Sequence, residues 1–201
     1  MALGDTAVLA AYTSYQCSEG GANCAVSSIM LWQHNLYGTI KCADDAASCN
    51  LDGQGARRLI CVRGTGGQTL TFRALRFSDG QGNSVCGGGA YIFNGALVDI
   101  ELCVFTNCRS ICSSNGGGAI YVASSGCIVA IYGTRFYGNE ALNEGKVDDI
   151  YHHPDSPGTI IIHATCPSPY TATNPTQGQT RTTTKGLHRR LHYLTTNFTF
   201  L

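Results

Sequence analysis

Gly87-Gly88-Gly89-Ala90-Tyr91-Ile92 opens a stretch that runs on through Val98-Asp99-Ile100-Glu101-Leu102 and closes on Phe105-Thr106-Asn107. The chain then repeats itself. Gly116-Gly117-Gly118-Ala119-Ile120-Tyr121 is followed by Val129-Ala130-Ile131-Tyr132 and by Phe136-Tyr137-Gly138-Asn139. The glycine triplets start at 87 and 116, 29 residues apart, and the phenylalanines stand at 105 and 136, 31 apart. A fixed period in this range marks a stacked-repeat architecture, in which each unit buries its apolar face against the next.

Working outward, the same register reaches five pairs of apolar residues spaced i, i+2. They are Ile40/Cys42, Leu70/Phe72, Val98/Ile100, Val129/Ile131 and Ile160/Ile162, with separations of 30, 28, 31 and 31 residues. Strand side chains alternate, so each pair shares one face of a strand. Phe77, Phe105 and Phe136 follow, each five residues after the second member of its pair. That odd spacing changes parity, so the chain must bend or bulge between them if all are to point inward. A second strand family lies offset: Leu59–Val62, Ala90–Phe93, Ala119–Val122 and Asp149–Tyr151. No repeat holds a ten-residue helical period, and a propeller blade needs about 40–45 residues. What remains is a parallel β-helix of about four to five coils, expected right-handed from the usual hand of parallel connections.

The expected layout has three parts. Residues 1–37 form an N-terminal cap, with a short helix over 5–17 that Asp5 or Thr6 would cap and that Val8, Leu9, Tyr12 and Tyr15 would face. Residues 38–166 form the β-helix. Where another phenylalanine is due stands Pro167, and 167–201 reads as an irregular Thr/Pro-rich tail. That tail holds a basic patch near His188-Arg189-Arg190 and one glycosylation sequon, Asn197-Phe198-Thr199.

Composition narrows the partners. About 43% of the 201 residues are apolar, and 13 basic residues balance 13 acidic ones, which excludes the basic footprint of a nucleic-acid binder. No stretch reaches the ~18 apolar residues that span a bilayer as a helix. Eleven cysteines point to an oxidising extracellular or surface compartment, with Cys42 and Cys49 able to close a small loop. The first residues show no clear signal peptide, so a fragment or reduced, packed cysteines are the alternatives. Cys103, Cys108 and Cys112 lack the spacing of a zinc site, and no cofactor is implied.

The Gly-Gly-Ala-Ile/Tyr and Phe-x-x-Asn motifs, with Asp148-Asp149-Ile150-Tyr151, resemble the repeats of polymorphic outer membrane proteins. More broadly, they are similar to the pectin-lyase-like superfamily. Leu51-Asp52-Gly53-Gln54-Gly55 looks like the Asp-Gly turn that often opens such helices. The resemblance covers about residues 38–166 and implies the fold. It implies no one function, because the enzymes of the superfamily carry Gly-His-Gly, Arg-x-Lys or clustered aspartates that this chain lacks.

Candidate chemistry therefore falls on outward residues. One outward column is expected to be Lys41, Thr71, Asp99, Ala130, Ile161, and the next Ala43, Arg73, Glu101, Tyr132, His163. Arg73, Asp99, Glu101, Tyr132 and His163 would form a strip suited to a sugar chain: aromatic rings take apolar ring faces, and charged groups take hydroxyls or uronate carboxylates. The bland reading is a polar strand face with an Arg73–Glu101 cross-strand pair. No outward column is rich in threonine, which speaks against an ice-binding face. His152-His153 fits a solvated turn before Pro154 better than a metal site, and Asn107 and Asn139 are expected to stack as turn amides. The function expected is a non-catalytic extracellular module for carbohydrate binding, adhesion or structure. The alternative is a lyase or hydrolase of acidic polysaccharide acting at Asp99 and Glu101.

Overall fold

A computed structural model of the chain describes residues 5–16, 37–64, 67–83, 87–112, 117–142, 149–153 and 158–163, with backbone alone for 28–33 and 179–180. These residues form an all-β parallel solenoid of about four turns. The expected Pro167 boundary, the tail beyond it and the sequon lie outside the described residues, apart from the short strand Gln179–Thr180.

Each coil lays down strands that pair in parallel with those of its neighbours. The first holds β1 (Thr6–Leu9), β2 (Ser14–Gln16) and β3 (Ser28–Gln33), and the next β4 (Gly38–Cys42), β5 (Cys49–Asp52) and β6 (Arg58–Arg63). Then come β7 (Thr69–Arg73), β8 (Leu75–Ser78), β9 (Gln81–Gly82) and β10 (Ala90–Phe93). Their equivalents follow as β11 (Leu97–Glu101), β12 (Val104–Thr106), β13 (Arg109–Ser110) and β14 (Ile120–Val122). The last set is β15 (Ile128–Tyr132), β16 (Arg135–Tyr137), β17 (Glu140–Ala141) and β18 (Ile150–His152), before β19 (Thr159–Ile162) and β20 (Gln179–Thr180). The long sheet runs β1-β4-β7-β11-β15-β19-β20, antiparallel only in its last pair.

The capping helix is a correction. Residues 5–17 were expected to coil as one helix, but Thr6–Leu9 and Ser14–Gln16 are strands, laid on β4 and β5. A turn at Ala11–Tyr12, with Tyr12 at φ 56°, separates them. The apolar spacing fits either period over so short a run. The free edge of the next coil decides, because pairing with it satisfies the backbone and lets Ala7, Leu9 and Tyr15 pack on the core.

The parity change finds its cause in two aligned corners. Ala74, Leu102 and Gly133 occupy equivalent positions and all take left-handed backbone, at φ 53°, 52° and 54°. One residue is spent turning, so Leu75, Cys103 and Thr134 point inward directly after it. Asp79, Asn107 and Gly138 make the second corner, at φ 53°, 53° and 59°. Between the corners, Phe77 and Phe105 stack with ring centroids 4.6 Å apart, and Phe105 and Phe136 at 5.4 Å. Gly89 is required beside this column: a Cβ there would lie 2.7 Å from the Phe105 ring and 2.6 Å from the Ala119 carbonyl.

Corner side chains tie each coil to the one before. The Cys103 thiol donates to the Phe72 carbonyl, and one coil on, the Thr134 hydroxyl donates to the equivalent Ile100 carbonyl. The Cys108 thiol donates to the Phe77 carbonyl, and the Asn139 amide to the equivalent Phe105 carbonyl. Asn139 also accepts from the Cys108 N–H and donates to Asp149. Asn107 and Asn139 therefore do not stack: Asn107 is an exposed corner, and Asn139 is a buried tie one position further round. Burial pushes the Cys103 and Cys108 thiols up to about 12, which keeps them protonated as donors. Cys42 and Cys49 form the small disulfide loop, while Cys61, Cys103, Cys108 and Cys127 are free and buried.

Candidate functional site

The outward strip is a real row, with one change of register at its start. Ile40 pairs with Phe72, not with Leu70, so Lys41 stands beside Arg73 where Ala43 was expected. The shift is by two residues, which keeps every side chain on its own face; alternation alone does not register it. Val8, Lys41, Arg73, Glu101 and Tyr132 thus share one outward column, and His163 continues it, its N–H bonded to the Ile131 carbonyl. The neighbouring column is Thr6, Thr39, Thr71, Asp99, Ala130 and Ile161. It opens with three threonines, contrary to the expected threonine-poor face, and then loses them.

Arg73 is the hub. Its guanidinium meets Glu101 at 2.9 Å from the next coil and Asp45 at 3.1 Å from the previous one. Asp45 was not anticipated, because it belongs to a turn and not to a strand. That turn lies within the loop closed by Cys42–Cys49, and its neighbour Asp44 accepts from the Ser48 hydroxyl and the Ala46 N–H. Hydrogen bonds to Asp45 and then to Glu101 raise the Arg73 pKa further. The cross-strand pair expected from sequence is thus present, extended to a triad.

Beyond Glu101 the row becomes aromatic. The Tyr132 and His163 rings stack at 3.9 Å with planes 18° apart. Asp99, half-buried on the same face as Glu101, is raised above the usual carboxylate range, first by burial and then by the charge of Glu101; His163 pulls it the other way. Burial, then Asp99 and Glu101, raise Tyr132. All five expected residues, Arg73, Asp99, Glu101, Tyr132 and His163, lie on one sheet face across four adjacent strands. Rungs are ~4.8 Å apart, so the row from Arg73 to His163 covers about 15 Å.

Other expected candidates fall elsewhere. His152 is buried within β18, opposite Val122, and so is no solvated turn residue; Pro154 lies outside the described residues. Cys103 and Cys108 point inward at separate corners. Among the described residues no group of three or more His, Cys, Asp or Glu is placed to hold a metal ion. Among the described residues a cleft opens away from the strip. It lies at the second corner, lined by residues such as Asp79, Asn107 and Arg109.

No family model, curated protein or solved structure matches the chain. No helix among the described residues is long and apolar enough to cross a membrane.

Proposed function

We propose that this chain is a non-catalytic β-solenoid module of the cell surface or extracellular space that binds a carbohydrate chain along the outer face of its long sheet. The observation that carries the reading is the unbroken run Asp45–Arg73–Glu101 followed by the Tyr132–His163 stack. The stacked rings, each covered on one face by the other, offer a sugar ring the apolar edges they turn outward, and the charged rungs offer acceptors and donors to its hydroxyls. The Cys42–Cys49 disulfide supports an oxidising compartment. The likeness of its motifs to polymorphic outer membrane protein repeats and to the pectin-lyase-like superfamily agrees with a surface or glycan-directed role.

The test is retention of the full chain on a glycan array, repeated with Tyr132→Ala and Arg73→Ala. Tyr132→Ala should weaken the retained glycan by about tenfold, the effect of ~1.4 kcal/mol. Absence of any retained glycan, or indifference to both substitutions, would refute the reading.

One observation favours the enzymatic alternative. Asp99 and Glu101 lie on one face of β11, with burial raising Asp99 and Arg73 bound to Glu101, and two carboxyls on one face are what glycoside hydrolysis requires. Against it stands Arg73, whose guanidinium already serves two carboxylates; a uronate would have to displace one of them. Incubation with polygalacturonate, with and without calcium, separates the two readings. New reducing ends or unsaturated products that vanish in Glu101→Ala would establish catalysis.

A further inference from the structure

Away from the strip, at the second corner of the coils, a cleft of about 610 Å3 runs across the stack. Its rungs are the left-handed residues Asp79, Asn107 and Gly138 and the outward strand residues Gln81, Arg109 and Glu140, which pair in register. Asp52 and Gln54 extend it by one coil, so it spans about 14 Å at ~4.8 Å per step.

The lining disfavours anions and apolar ligands. Three carboxylates, Asp52, Asp79 and Glu140, face one guanidinium, Arg109, which is already paired with Glu140 at 3.3 Å. An anion would therefore meet net repulsion. No metal-binding group of three ligands is present among the described residues. The lining is also mostly polar, so an apolar ligand gains little from burial there. What the cleft does offer is alternating donors and acceptors. Asp79 and Asn107 make no side-chain hydrogen bond with another described residue, and the Gln54 and Gln81 amides, bonded to Gln16 and Asn83, keep capacity to spare.

We propose that this cleft is a second binding site, for the hydroxyl groups of an uncharged linear glycan lying along the solenoid axis. A sugar hydroxyl both donates and accepts, which suits carboxylate, amide and guanidinium rungs repeated at one spacing. Gly138 lets the Asn107 side chain lie close over it: a Cβ there would stand 2.8 Å from the Asn107 amide oxygen. This site lies on different residues from the strip and does not depend on it.

The experiment is calorimetric titration of the full chain with neutral cello-, xylo-, manno- and malto-oligosaccharides, and with oligogalacturonate as the charged control. The double variant Gln81→Ala/Asn107→Gly removes two rungs, glycine being chosen because position 107 has left-handed backbone. It should weaken binding of a neutral oligosaccharide by about tenfold or more. Arg109→Trp, at an exposed strand position, fills the cleft without entering the core and serves if the double variant does not fold. Failure of every neutral oligosaccharide to bind overturns the proposal. So does neutral binding that the cleft variants leave intact. Either result leaves the strip's own array test to be judged separately.

Discussion

Two columns of side chains run side by side along this solenoid and obey different rules. The inward one reads Leu51, Phe77, Phe105, Phe136; the outward one, a few residues earlier in each coil, reads Lys41, Arg73, Glu101, Tyr132, His163. Inside, each rung meets the same neighbours as the rung below, so the same shape recurs. Outside, stacking asks only that the strand alternate, and from Arg73 onward the residue changes class at every coil. The interior repeats because packing repeats; the exterior differs wherever packing leaves it free to differ.

That contrast can be broken most severely at its centre. Phe105→Ala removes a fully buried ring stacked on both sides, and should cost about 3–5 kcal/mol in urea or thermal unfolding. A loss below about 1 kcal/mol would mean the column is not the core. A smaller effect is expected at the corner. Asn139→Leu keeps the bulk but strands the Cys108 N–H, the Phe105 carbonyl and a bond to Asp149, for about 1–3 kcal/mol. Asn139→Asp keeps the acceptor for the Cys108 N–H but sets a carboxylate against Asp149 and the Phe105 carbonyl, so at neutral pH it should lose at least as much, and equal stability of all three proteins would remove the tie from the account.

The outward column should give the smallest effect, of the opposite sign. The fold holds the Asp99 pKa above its ordinary value, so the folded state favours the protonated form. The resulting stabilisation is full below the ordinary carboxylate pKa and disappears as pH rises through the raised one. Asp99→Asn removes a charge that the fold resists, so the variant should be more stable than its parent at neutral pH, by less than about 1 kcal/mol. The gap should close below about pH 4, where Asp99 is protonated in both states. Unfolding curves at neutral and acid pH decide it; a variant less stable at neutrality contradicts the sign.

The inward rule explains why the fold was legible. Glycine triplets, phenylalanines and apolar i, i+2 pairs all recur, and Leu70/Phe72 through Ile160/Ile162 keep the register expected of them. The first coil was not legible, for two physical reasons. Thr6–Leu9 and Ser14–Gln16 are too short to declare a period and take their conformation from β4 and β5. Ile40 could slide by two residues without leaving its face, so alternation was silent about its partner. At the candidate site, Arg73 and Glu101 were legible as strand neighbours, but Asp45 was hidden in a turn. The second-corner cleft was hidden as well, since Asn107 and Asn139, two and three residues beyond their phenylalanines, looked like one column and are two.

The corner ties carry a consequence for how such a chain can lengthen. Cys103 and Thr134, or Cys108 and Asn139, make the same reach to the coil below with three different chemistries: thiol, hydroxyl and amide. The joint between coils is thus specified by a small donor at a left-handed corner, not by one residue type. A duplicated segment that kept the two corners and one donor at each would seat on its parent without altering any existing contact. Duplication would copy the inside and leave a fresh outer rung under no packing constraint, open to whatever ligand selection favoured.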